Sequence, residues 1–373
     1  MIKKLTVENY KSFGDKTEIE LGKFAVLVGP NNSGKSNFLD LLSFVSELIR
    51  EGLTTRNALD KRGSYKSVVF NGEEDRDICL SIETKGEKEE RIEYGVRIGN
   101  TEENPVKEHL TLGEKDLIKG EEGKGQFWNH KKGKYEEFTQ PNYLYLGYLN
   151  RNYKEHVHPS QVKFGEFLEG IEIYNFELSK LRERKSISEE ARLNKDGSNL
   201  SQVIHYLRNK DRVAYAEFED TLKAAVPEVK YLETPPTDRG EANLEIVERD
   251  LEKRIDLSEM SDGMLWLLAH IYVFMSPKSP PLVCFEEPES YIHPRVLELL
   301  VDVFKSVKNQ VIVTTHNPFF VDLVDPEDLI IFEKKEGKTT CRKIENPEEM
   351  KERVIKDIPL GEVWCSGEIG GVP

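Results

Sequence analysis

The first part of the chain shows two kinds of apolar pattern that are typical of strands. Leu5 and Val7 alternate with polar neighbours, Ile19 and Leu21 repeat this spacing, and residues 24–28 are apolar throughout. Alternation is typical of a strand with one covered face, whereas a short continuous apolar run is typical of a fully buried strand. The sequence therefore predicts a short N-terminal sheet that ends in a buried strand.

The pattern changes to helical spacing after residue 35 and returns to alternation near residue 78. One helix face is apolar, with Phe38, Leu41, Leu42, Val45, Leu48 and Ile49. Alternating segments at 78–82 and 92–98 flank a polar turn, which predicts a hairpin. Glycine-broken segments continue over 106–138, and residues 143–149 have the composition of one more strand. We therefore predict an N-terminal core at residues 1–76 and an inserted antiparallel lobe at 77–150.

Helical spacing dominates the middle of the chain. Residues 160–227 carry apolar helix faces that are interrupted at 194–198 and at Pro227, and no heptad repeat persists. We therefore predict a helical arm at 151–256. A strongly apolar helix at 264–275 and two buried strands, 281–285 and 311–315, place the second part of the core at 257–346.

The remaining residues predict a terminal hairpin and a short helix. Residues 328–332 and 339–344 flank a Lys/Gly turn, and a helical pattern covers 347–356. A tail completes the last predicted segment, 347–373. Because Val363, Trp364 and Ile369 are apolar, this tail is more typical of a docking segment than of a frayed end.

Composition indicates a globular protein of the reducing cytoplasm. The 373 residues are 38% hydrophobic and 32% charged, and the four cysteines are scattered. No run approaches the roughly 20 apolar residues that cross a bilayer, and the N-terminus lacks a signal-peptide apolar core. The net charge of −15 argues against a broadly basic nucleic-acid surface. The densest basic cluster (Arg182, Arg184, Lys185, Arg192 and Lys195) is either a solvated helix end or a contact for phosphates or a partner.

A phosphate-binding loop lies between the buried strand and the first helix. It comprises Gly29, Pro30, Asn31, Asn32, Ser33, Gly34, Lys35 and Ser36, followed by Asn37. The spacing is G-x-x-x-x-G-K-S, in which the glycines let backbone N–H groups turn toward phosphate oxygens. Lys35 is predicted to reach the β- and γ-phosphates, and the Ser36 hydroxyl to coordinate Mg²⁺. Lys11 and Ser12 lie one short loop away, where a basic residue either touches the nucleotide or is a solvated turn residue.

A second group of candidate residues follows strand and helix boundaries in the C-terminal part. Ser261 and Gly263 precede the apolar helix, where an N-cap and an anion site have the same sequence signature. Glu286 and Glu287 end the first buried strand, and His316 ends the second. Acidic residues at the carboxyl ends of parallel strands face the ligand crevice, where one can hold Mg²⁺ and the next can orient an attacking water. A metal cluster of His293, His316 and the glutamates is the alternative, but Mg²⁺–ATP is the simpler interpretation.

Taken together, these motifs resemble the ABC-type ATPase heads of the SMC/RecF-like group. The resemblance is strongest to standalone prokaryotic AAA-type ATPases related to the ATPase domain of the OLD family. It rests on NYKSF, GPNNSGKSN, SDG, FEEPESYIHP, TTHNP and the closing GEVWCSGEIGGVP, in the expected order. The resemblance implies an α/β P-loop NTPase of ABC/SMC-head type, with an inserted antiparallel β lobe and a helical subdomain.

The resemblance also implies roles for individual residues. Lys11 would help to hold the nucleotide, Glu287 would be the catalytic base and His316 the switch histidine. Ser261 and Gly263 would act in trans, on the γ-phosphate held by a second head. Two points depart from the family pattern: Glu286 replaces the usual Walker B aspartate, and the Q-loop glutamine is either Gln140 or Gln161.

The function implied is that of an Mg²⁺–ATP-driven switch. Two heads would form a homodimer with ATP sandwiched between them, and hydrolysis would release them. We expect a role in a prokaryotic DNA-associated or anti-phage defence system, with nucleic acid as a candidate ligand. About 57 residues follow His316, which is too few for a fused nuclease domain such as OLD enzymes carry. A separately encoded effector, such as a nuclease, is therefore expected. The alternatives are a nucleotide-sensing scaffold with little hydrolysis and the ATPase subunit of a transporter, although no membrane partner is expected.

Overall fold

The structure, a computed structural model, describes residues 1–50, 55–86, 89–100, 106–139, 143–249, 254–356 and 358–372. The chain divides into two units by its internal contacts. Unit 1 is Met1–Ile171 with Asp325–Pro373, and unit 2 is Glu172–Val324. Gln140, one of the two Q-loop candidates, lies outside the described residues.

The strands and helices are numbered in chain order. The strands are β1 Ile2–Glu8, β2 Thr17–Glu20, β3 Phe24–Val28, β4 Ile78–Lys85, β5 Arg91–Ile98, β6 Val106–Leu112, β7 Lys115–Glu121, β8 Lys124–Asn129, β9 Lys134–Thr139, β10 Ile171–Tyr174, β11 Val229–Glu233, β12 Glu245–Glu248, β13 Arg254–Asp256, β14 Leu282–Glu286, β15 Gln310–Thr314, β16 Leu329–Lys335 and β17 Lys338–Lys343. The helices are α1 Lys35–Ile49, α2 Thr55–Asp60, α3 Tyr65–Val68, α4 Tyr145–Asn152, α5 Pro159–Glu169, α6 Leu178–Leu181, α7 Leu200–Lys210, α8 Arg212–Ala225, α9 Asp262–Met275, α10 Pro294–Ser306, α11 Pro318–Asp322, α12 Pro347–Lys356 and α13 Leu360–Cys365.

A long antiparallel sheet in unit 1 confirms the predicted hairpin and extends it. Its order is β2-β1-β4-β5-β6-β7-β8-β9. Leu5 faces Ile82 and Val7 faces Leu80 across the β1–β4 pair, and these apolar side chains are buried. The predicted β lobe at 77–150 is therefore not separate from the N-terminal strands, because β1 and β2 complete the same sheet.

Residues 143–149 were predicted to be a strand, and this prediction is wrong. They lead into helix α4, which begins at Tyr145. The buried carboxylate of Glu108 on β6 accepts hydrogen bonds from the backbone N–H groups of Tyr145 and Leu146. A short apolar run suits a buried strand or a helix equally well, and this cap supplied from a distant strand satisfies N–H groups that a helix start leaves unpaired.

The second sheet of unit 1 carries the phosphate loop. Strand β16 runs parallel to β3, with Ile330 opposite Leu27, and pairs with β17 in the predicted terminal hairpin. All five residues of β3 are buried. Helix α1 follows β3 through the loop, so the strand, loop and helix have the predicted order.

The C-terminal tail is docked rather than frayed, as its apolar residues predicted. Trp364 is fully buried and its Nε1–H donates to the carbonyl oxygen of Gly371 at 2.6 Å. The N–H of Gly371 donates to Glu333 Oε1 on β16 at 2.9 Å. The tail is therefore held to β16, which lies beside β3 in the sheet that carries the phosphate loop.

Unit 2 contains a parallel strand pair and a small antiparallel sheet. Strands β14 and β15 are parallel, with Cys284 opposite Ile312, and β10 lies next to β14. Strands β11, β12 and β13 form an antiparallel sheet within residues 229–256. Helices α5 to α8 lie inside the helical arm predicted at 151–256, and the strands β11 to β13 in its last part were not predicted.

Helix α9 follows this small sheet and is buried along most of its length. Its residues 265–273 are all buried, as the predicted apolar helix requires. No helix in the described part of the chain is long and apolar enough to cross a membrane.

Candidate functional site

The phosphate loop has a backbone shape that glycine allows. Gly34 has a φ of 110° and lies at the N-terminal end of α1. A Cβ atom at this position would lie 2.1 Å from Thr339 Oγ1. Both the positive φ and the close side chain therefore require glycine at residue 34.

The Lys35 ammonium lies inside the loop. The residue is 6% exposed, and its Nζ donates to the carbonyl oxygens of Gly29 at 2.7 Å and Pro30 at 3.1 Å. A buried cation needs such acceptors, and an anionic phosphate is a stronger acceptor than either carbonyl. Its position suits the phosphate contact predicted for Lys35.

Two hydroxyls complete the loop. Ser33 Oγ is buried and has no hydrogen-bond partner among the described residues, so an entering phosphate oxygen would satisfy it. Ser36 is exposed at the start of α1, where a hydroxyl is available to a metal ion. Asn31 and Asn32 are also exposed. The residues present therefore fit a nucleotide phosphate accompanied by Mg²⁺.

Residues of the NYKSF segment lie beside this loop. Ser12 Oγ accepts a hydrogen bond from Asn37 Nδ2 at 2.7 Å and contacts Thr339 Oγ1 at the same distance. Lys11 Nζ forms an ion pair with Asp40 Oδ2 on α1 at 2.6 Å. Burial alone would raise the pKa of Asp40, but hydrogen bonds from Lys11 and Tyr10 and the charge of Arg62 lower it. Ser12 therefore lies beside the end of the loop, whereas Lys11 pairs with Asp40 on α1, and its predicted contact with the nucleotide stays a prediction.

In unit 2 the paired glutamates lie at the end of β14, as predicted. Glu286 ends the strand, and Glu287 adopts a φ of 46°. A positive φ is uncommon for a residue with a side chain and costs on the order of 1 kcal/mol. The N–H of Glu287 donates to Thr314 O at 2.9 Å, and its side chain is 54% exposed with Oε1 3.8 Å from His316 Nε2. Glu287 and His316 therefore lie close enough to act on the same small group.

Glu289 is part of this arrangement, although the sequence interpretation included it only among the glutamates of the alternative metal cluster. Its Oε1 accepts a hydrogen bond from the Thr315 hydroxyl, whereas its buried Oε2 has no partner among the described residues. Burial raises the pKa of Glu289 to about 7, against the opposing effect of the Thr315 hydrogen bond. The glutamate thus joins the segment after β14 to the segment that carries His316. The sequence signal for Glu289 is its position two residues after Glu287, separated from it by Pro288.

The SDG motif begins α9 and contacts the segment after β14. Ser261 Oγ accepts from the N–H of Met264 at 3.3 Å, which confirms the predicted N-cap. A Cβ atom on Gly263 would lie 2.7 Å from Tyr291 O, so a larger residue would displace one of the two segments. Trp266 Nε1–H donates to Pro288 O at 2.9 Å. Helix α9 is therefore linked to the segment that follows the paired glutamates, through Pro288.

The basic cluster is engaged in ion pairs and hydrogen bonds within unit 2. Arg182 forms an ion pair with Asp262 at 2.6 Å and donates to the carbonyl oxygens of Leu257, Ser258 and Met260. Arg184 binds Asp256 at 2.5 Å. Arg192 binds Glu172, which Lys195 also approaches. The cluster therefore holds other parts of unit 2, and Arg182 fixes the loop that precedes α9.

Several other candidate residues have structural positions of their own. His293 caps α10, with Nδ1 accepting from the N–H of Arg295 at 3.3 Å. Gln161 is buried on α5 and donates to Asn150 Oδ1 at 3.2 Å. Among the residues that the structure describes, no three His, Cys, Asp or Glu side chains are grouped to hold a metal ion. The alternative metal cluster with His293 and His316 is therefore absent from that part of the chain.

The candidate residues fall into two groups. Unit 1 brings together Lys11, Ser12 and residues 29–37. Unit 2 brings together Glu286, Glu287 and His316, and links the helix that begins after Ser261 to the same loop.

Comparisons with known proteins agree with this geometry. Residues 24–322 match the profile of a family described as "AAA domain, putative AbiEii toxin, Type IV TA system". The chromosome partition protein Smc of Desulfitobacterium hafniense (strain Y51) is 41% identical over 73 residues, which are 19% of this chain and 6% of that protein. Smc of Aquifex aeolicus (strain VF5) is 43% identical over 75 residues, again 19% and 6%. The matched segments thus span about 6% of the length of these relatives.

Solved structures show the same fold at low sequence identity. An Smc head bound to the C-winged helix domain of ScpA has a TM-score of 0.57 and 14% identity, with 94% of this chain and 99% of that chain covered. The SMC head domain from Thermotoga maritima has a TM-score of 0.51 and 17% identity, with 92% and 99% covered. Because the profile match extends over more than half of the chain, the protein belongs to this family of AAA domains, and its fold is that of an SMC-head-type P-loop NTPase.

Proposed function

We propose that this protein binds Mg²⁺–ATP, hydrolyses it, and joins a second copy of itself while ATP is bound. The observation that carries the proposal is the position of Lys35. A buried ammonium held by two carbonyl oxygens of its own loop is ready to exchange those acceptors for phosphate. Membership of the AAA family supports the same conclusion.

Residues of the phosphate loop have defined tasks in this proposal. Lys35 neutralises the β- and γ-phosphates, and the backbone of residues 29–34 surrounds them. Ser36 and Glu286 are the residues that would serve as Mg²⁺ ligands, and the ion would neutralise charge on the phosphate oxygens. Lys11 and Ser12 support the loop from the side of α1.

The reaction is attack by water on the γ-phosphorus. Glu287 orients the water and accepts its proton as the new O–P bond forms. The bond from the γ-phosphorus to the bridging oxygen breaks, which releases ADP and phosphate. His316, with its ring nitrogen 3.8 Å from the Glu287 carboxylate, hydrogen-bonds the γ-phosphate oxygen and orients it. The exposed carboxylate and left-handed backbone of Glu287 suit a residue that must reach a ligand.

The SDG motif, residues 261–263, which we call the signature motif, supplies the reason for dimerisation. Ser261 is exposed, and its hydroxyl together with the N-terminus of α9 forms an anion-binding surface. We propose that this surface contacts the γ-phosphate held by the partner copy. A two-fold pairing would then place each nucleotide against the signature motif of the other copy.

We further propose that the dimer is a switch in a cytoplasmic prokaryotic defence or DNA-associated system. The family description refers to a toxin and a toxin–antitoxin system, which supports a defence role. A solved Smc head is bound to part of ScpA, which supports the use of such a head as a docking platform for a separate protein. The effector expected here is separately encoded, with a nuclease as the first candidate.

The enzymatic proposal is tested by light scattering after size exclusion, together with phosphate release. Wild type should hydrolyse ATP, and Glu287→Gln should accumulate as an ATP-bound dimer. Lys35→Ala should show neither binding nor dimerisation. Glu298→Gln, an exposed carboxylate on α10, is the matched control and should behave as wild type. Absence of turnover and of any ATP-dependent dimer in the wild type would contradict the mechanism.

The nucleotide-sensing scaffold is retained as a second candidate because Glu286 stands where relatives have aspartate. A longer side chain changes the distance between carboxylate and metal ion. Nucleotide binding and ATP-dependent dimerisation with turnover no higher than that of Glu287→Gln would favour the scaffold. Glu286→Asp should then increase phosphate release.

The biological role needs its own experiment. The gene would be expressed with its neighbouring genes in a host challenged with phage, and compared with the Lys35→Ala variant. Reduced phage growth with the wild type alone supports the defence role. Equal phage growth and unchanged host DNA in both strains would contradict it.

A further inference from the structure

A basic cleft in unit 2 has no part in the proposed ATPase. It lies where α7 meets α8 beside the end of β11 and has a volume of about 750 Å³. Its lining comprises His205, Arg208, Asn209, Arg212, Tyr215, Glu233 and residues 234–236. In a chain with a net charge of −15, this cleft places two arginines side by side with one carboxylate, that of Glu233.

Neither arginine of the cleft is neutralised by a carboxylate. Arg212 is exposed and has no hydrogen-bond or ion-pair partner among the described residues. The Arg208 guanidinium stacks 5.9 Å from the Tyr215 ring centroid and makes one long contact of 3.5 Å with Thr234 Oγ1. Arg182 and Arg192 of the same unit each bind a carboxylate. The cleft arginines therefore keep donor capacity that the protein does not use.

The acidic groups near the cleft are already engaged. The Glu233 carboxylate is bound by Arg254. Asp211 Oδ1 accepts a hydrogen bond from the N–H of Ala214 at 3.0 Å, as the N-cap of α8. His205 Nδ1 donates to Thr234 O at 3.0 Å, because a carbonyl oxygen can only accept. Glu233 and Asp211 are therefore held by partners other than the two cleft arginines, which stay available to an anion.

We propose that this cleft binds the phosphate groups of a nucleic-acid strand. A guanidinium presents a planar set of donors that matches phosphate oxygens. The cleft is larger than one phosphate, and the rings of His205 and Tyr215 with two prolines offer flat surfaces for a sugar or base. These surfaces favour a nucleic-acid strand over an acidic peptide. The proposal does not depend on hydrolysis of ATP.

The test is fluorescence anisotropy of a labelled 20-nucleotide single strand, as DNA and as RNA, with the full chain at three salt concentrations. Arg208→Gln and Arg212→Gln should each weaken binding about tenfold, and each should lower the salt slope by about one. Lys210→Gln is the matched control, because Lys210 is an exposed cation on α7 that pairs with Glu189 outside the cleft. It should change affinity less than twofold. Arg208→Gln loses the contact with Tyr215, which reduces stability. Arg212 is exposed, so Arg212→Gln should fold normally and still test the cleft.

Competition experiments identify the source of the phosphate. Inorganic phosphate and AMP should displace the strand only at concentrations far above its dissociation constant, because each supplies one phosphate group. If AMP binds the cleft as tightly as the strand does, a free nucleotide is the ligand and the proposal is wrong. Tighter binding of a poly-glutamate peptide than of the strand would overturn it as well, as would equal strand affinity in wild type and both arginine variants. Phosphate release in these variants should equal that of wild type, so failure here is distinct from failure of the ATPase proposal.

Discussion

At the residue scale, the phosphate loop depends on a backbone that other residues rarely adopt. Gly34 combines a φ of 110° with direct contact to Thr339. Lys35 is buried against the carbonyl oxygens of Gly29 and Pro30. The loop therefore has its curved shape in the protein itself, and a nucleotide would need to displace these carbonyl contacts.

Replacement of Gly34 by alanine should abolish nucleotide binding. The new Cβ would lie 2.1 Å from Thr339 Oγ1, and the left-handed backbone would be strained by on the order of 1–3 kcal/mol. Gly337→Ala is the matched control, because Gly337 also has a positive φ but has nothing within 4 Å of its Cβ position. Titration with a fluorescent ATP analogue and thermal unfolding should show loss of stability in both variants but loss of affinity in Gly34→Ala alone. Equal affinities in the two variants would contradict this account of the loop.

Glu289 should make the stability of the protein depend on pH. Burial raises its pKa in the folded state to about 7 from 4.5, so its contribution is fully present below pH 4.5. That contribution is lost as the pH rises through 7, because the buried carboxyl must then ionise. A shift of this size corresponds to roughly 3 kcal/mol. Glu289→Gln cannot ionise, so its melting temperature should rise relative to wild type between pH 5 and pH 8.

The measurement for Glu289→Gln is thermal unfolding of both proteins across that pH range. Glu298→Gln, at an exposed site on α10, should follow the wild-type curve. If the Glu289→Gln and wild-type curves run parallel, Glu289 is ionised in the folded protein throughout. The Thr315 hydrogen bond would then outweigh burial.

At the element scale, the hydrophobic pattern predicted the strands and helices that are determined by contacts between residues close in sequence. Strand β3, the phosphate loop and α1 follow one another in the chain, so their spacing alone identified them. Helix α9 was equally clear, because its residues 265–273 are apolar and buried together. The paired glutamates after β14 were identified in the same way.

Long-range contacts explain what the sequence could not predict. Helix α4 begins where Glu108, 37 residues earlier, accepts its first N–H groups, and no local pattern contains that contact. Strands β11 to β13 are short and partly charged, so each is stabilised by pairing rather than by its own pattern. Arg182 was recognised as basic, but its partner Asp262 lies 80 residues away.

The C-terminal tail is an element whose effect should reach the phosphate loop. Gly371 has a φ of 60°, and a Cβ there would lie 2.5 Å from Ile331 Cγ2 and 3.6 Å from Gly29 Cα. Gly371→Ala should therefore displace the tail, disturb the first glycine of the loop and weaken ATP binding about tenfold, which corresponds to about 1.4 kcal/mol. Val372→Ala is the control, because this residue is 45% exposed. Titration with a fluorescent ATP analogue measures the affinity of both variants, and thermal unfolding measures their stability. A lower melting temperature with unchanged affinity in Gly371→Ala would restrict the tail to a structural role.

At the scale of the whole molecule, the proposed dimer explains why the signature motif is exposed. Ser261 lies on the surface with its side chain used only for capping α9. The phosphate loop lies in unit 1 and the motif in unit 2, and each has a complete local geometry of its own. If the motif acts in trans, a defect in the loop of one copy and a defect in the motif of the other should complement each other.

This arrangement is testable by mixing two inactive variants. Lys35→Ala should bind no ATP but should keep an intact signature motif, whereas Ser261→Arg should bind ATP but block the motif. Each alone should release little phosphate. Random pairing in an equimolar mixture brings unlike copies together in half of the encounters. Each mixed pair has one competent site of two, so a two-fold pairing predicts recovery of up to about a quarter of wild-type activity. The readout is phosphate release at constant total protein. The control for dilution is a mixture of wild type with the double variant, which carries Lys35→Ala and Ser261→Arg in the same chain. If the two single variants remain inactive together while Ser261→Arg alone binds ATP normally, Ser261 acts on the nucleotide of its own copy and the trans arrangement is wrong.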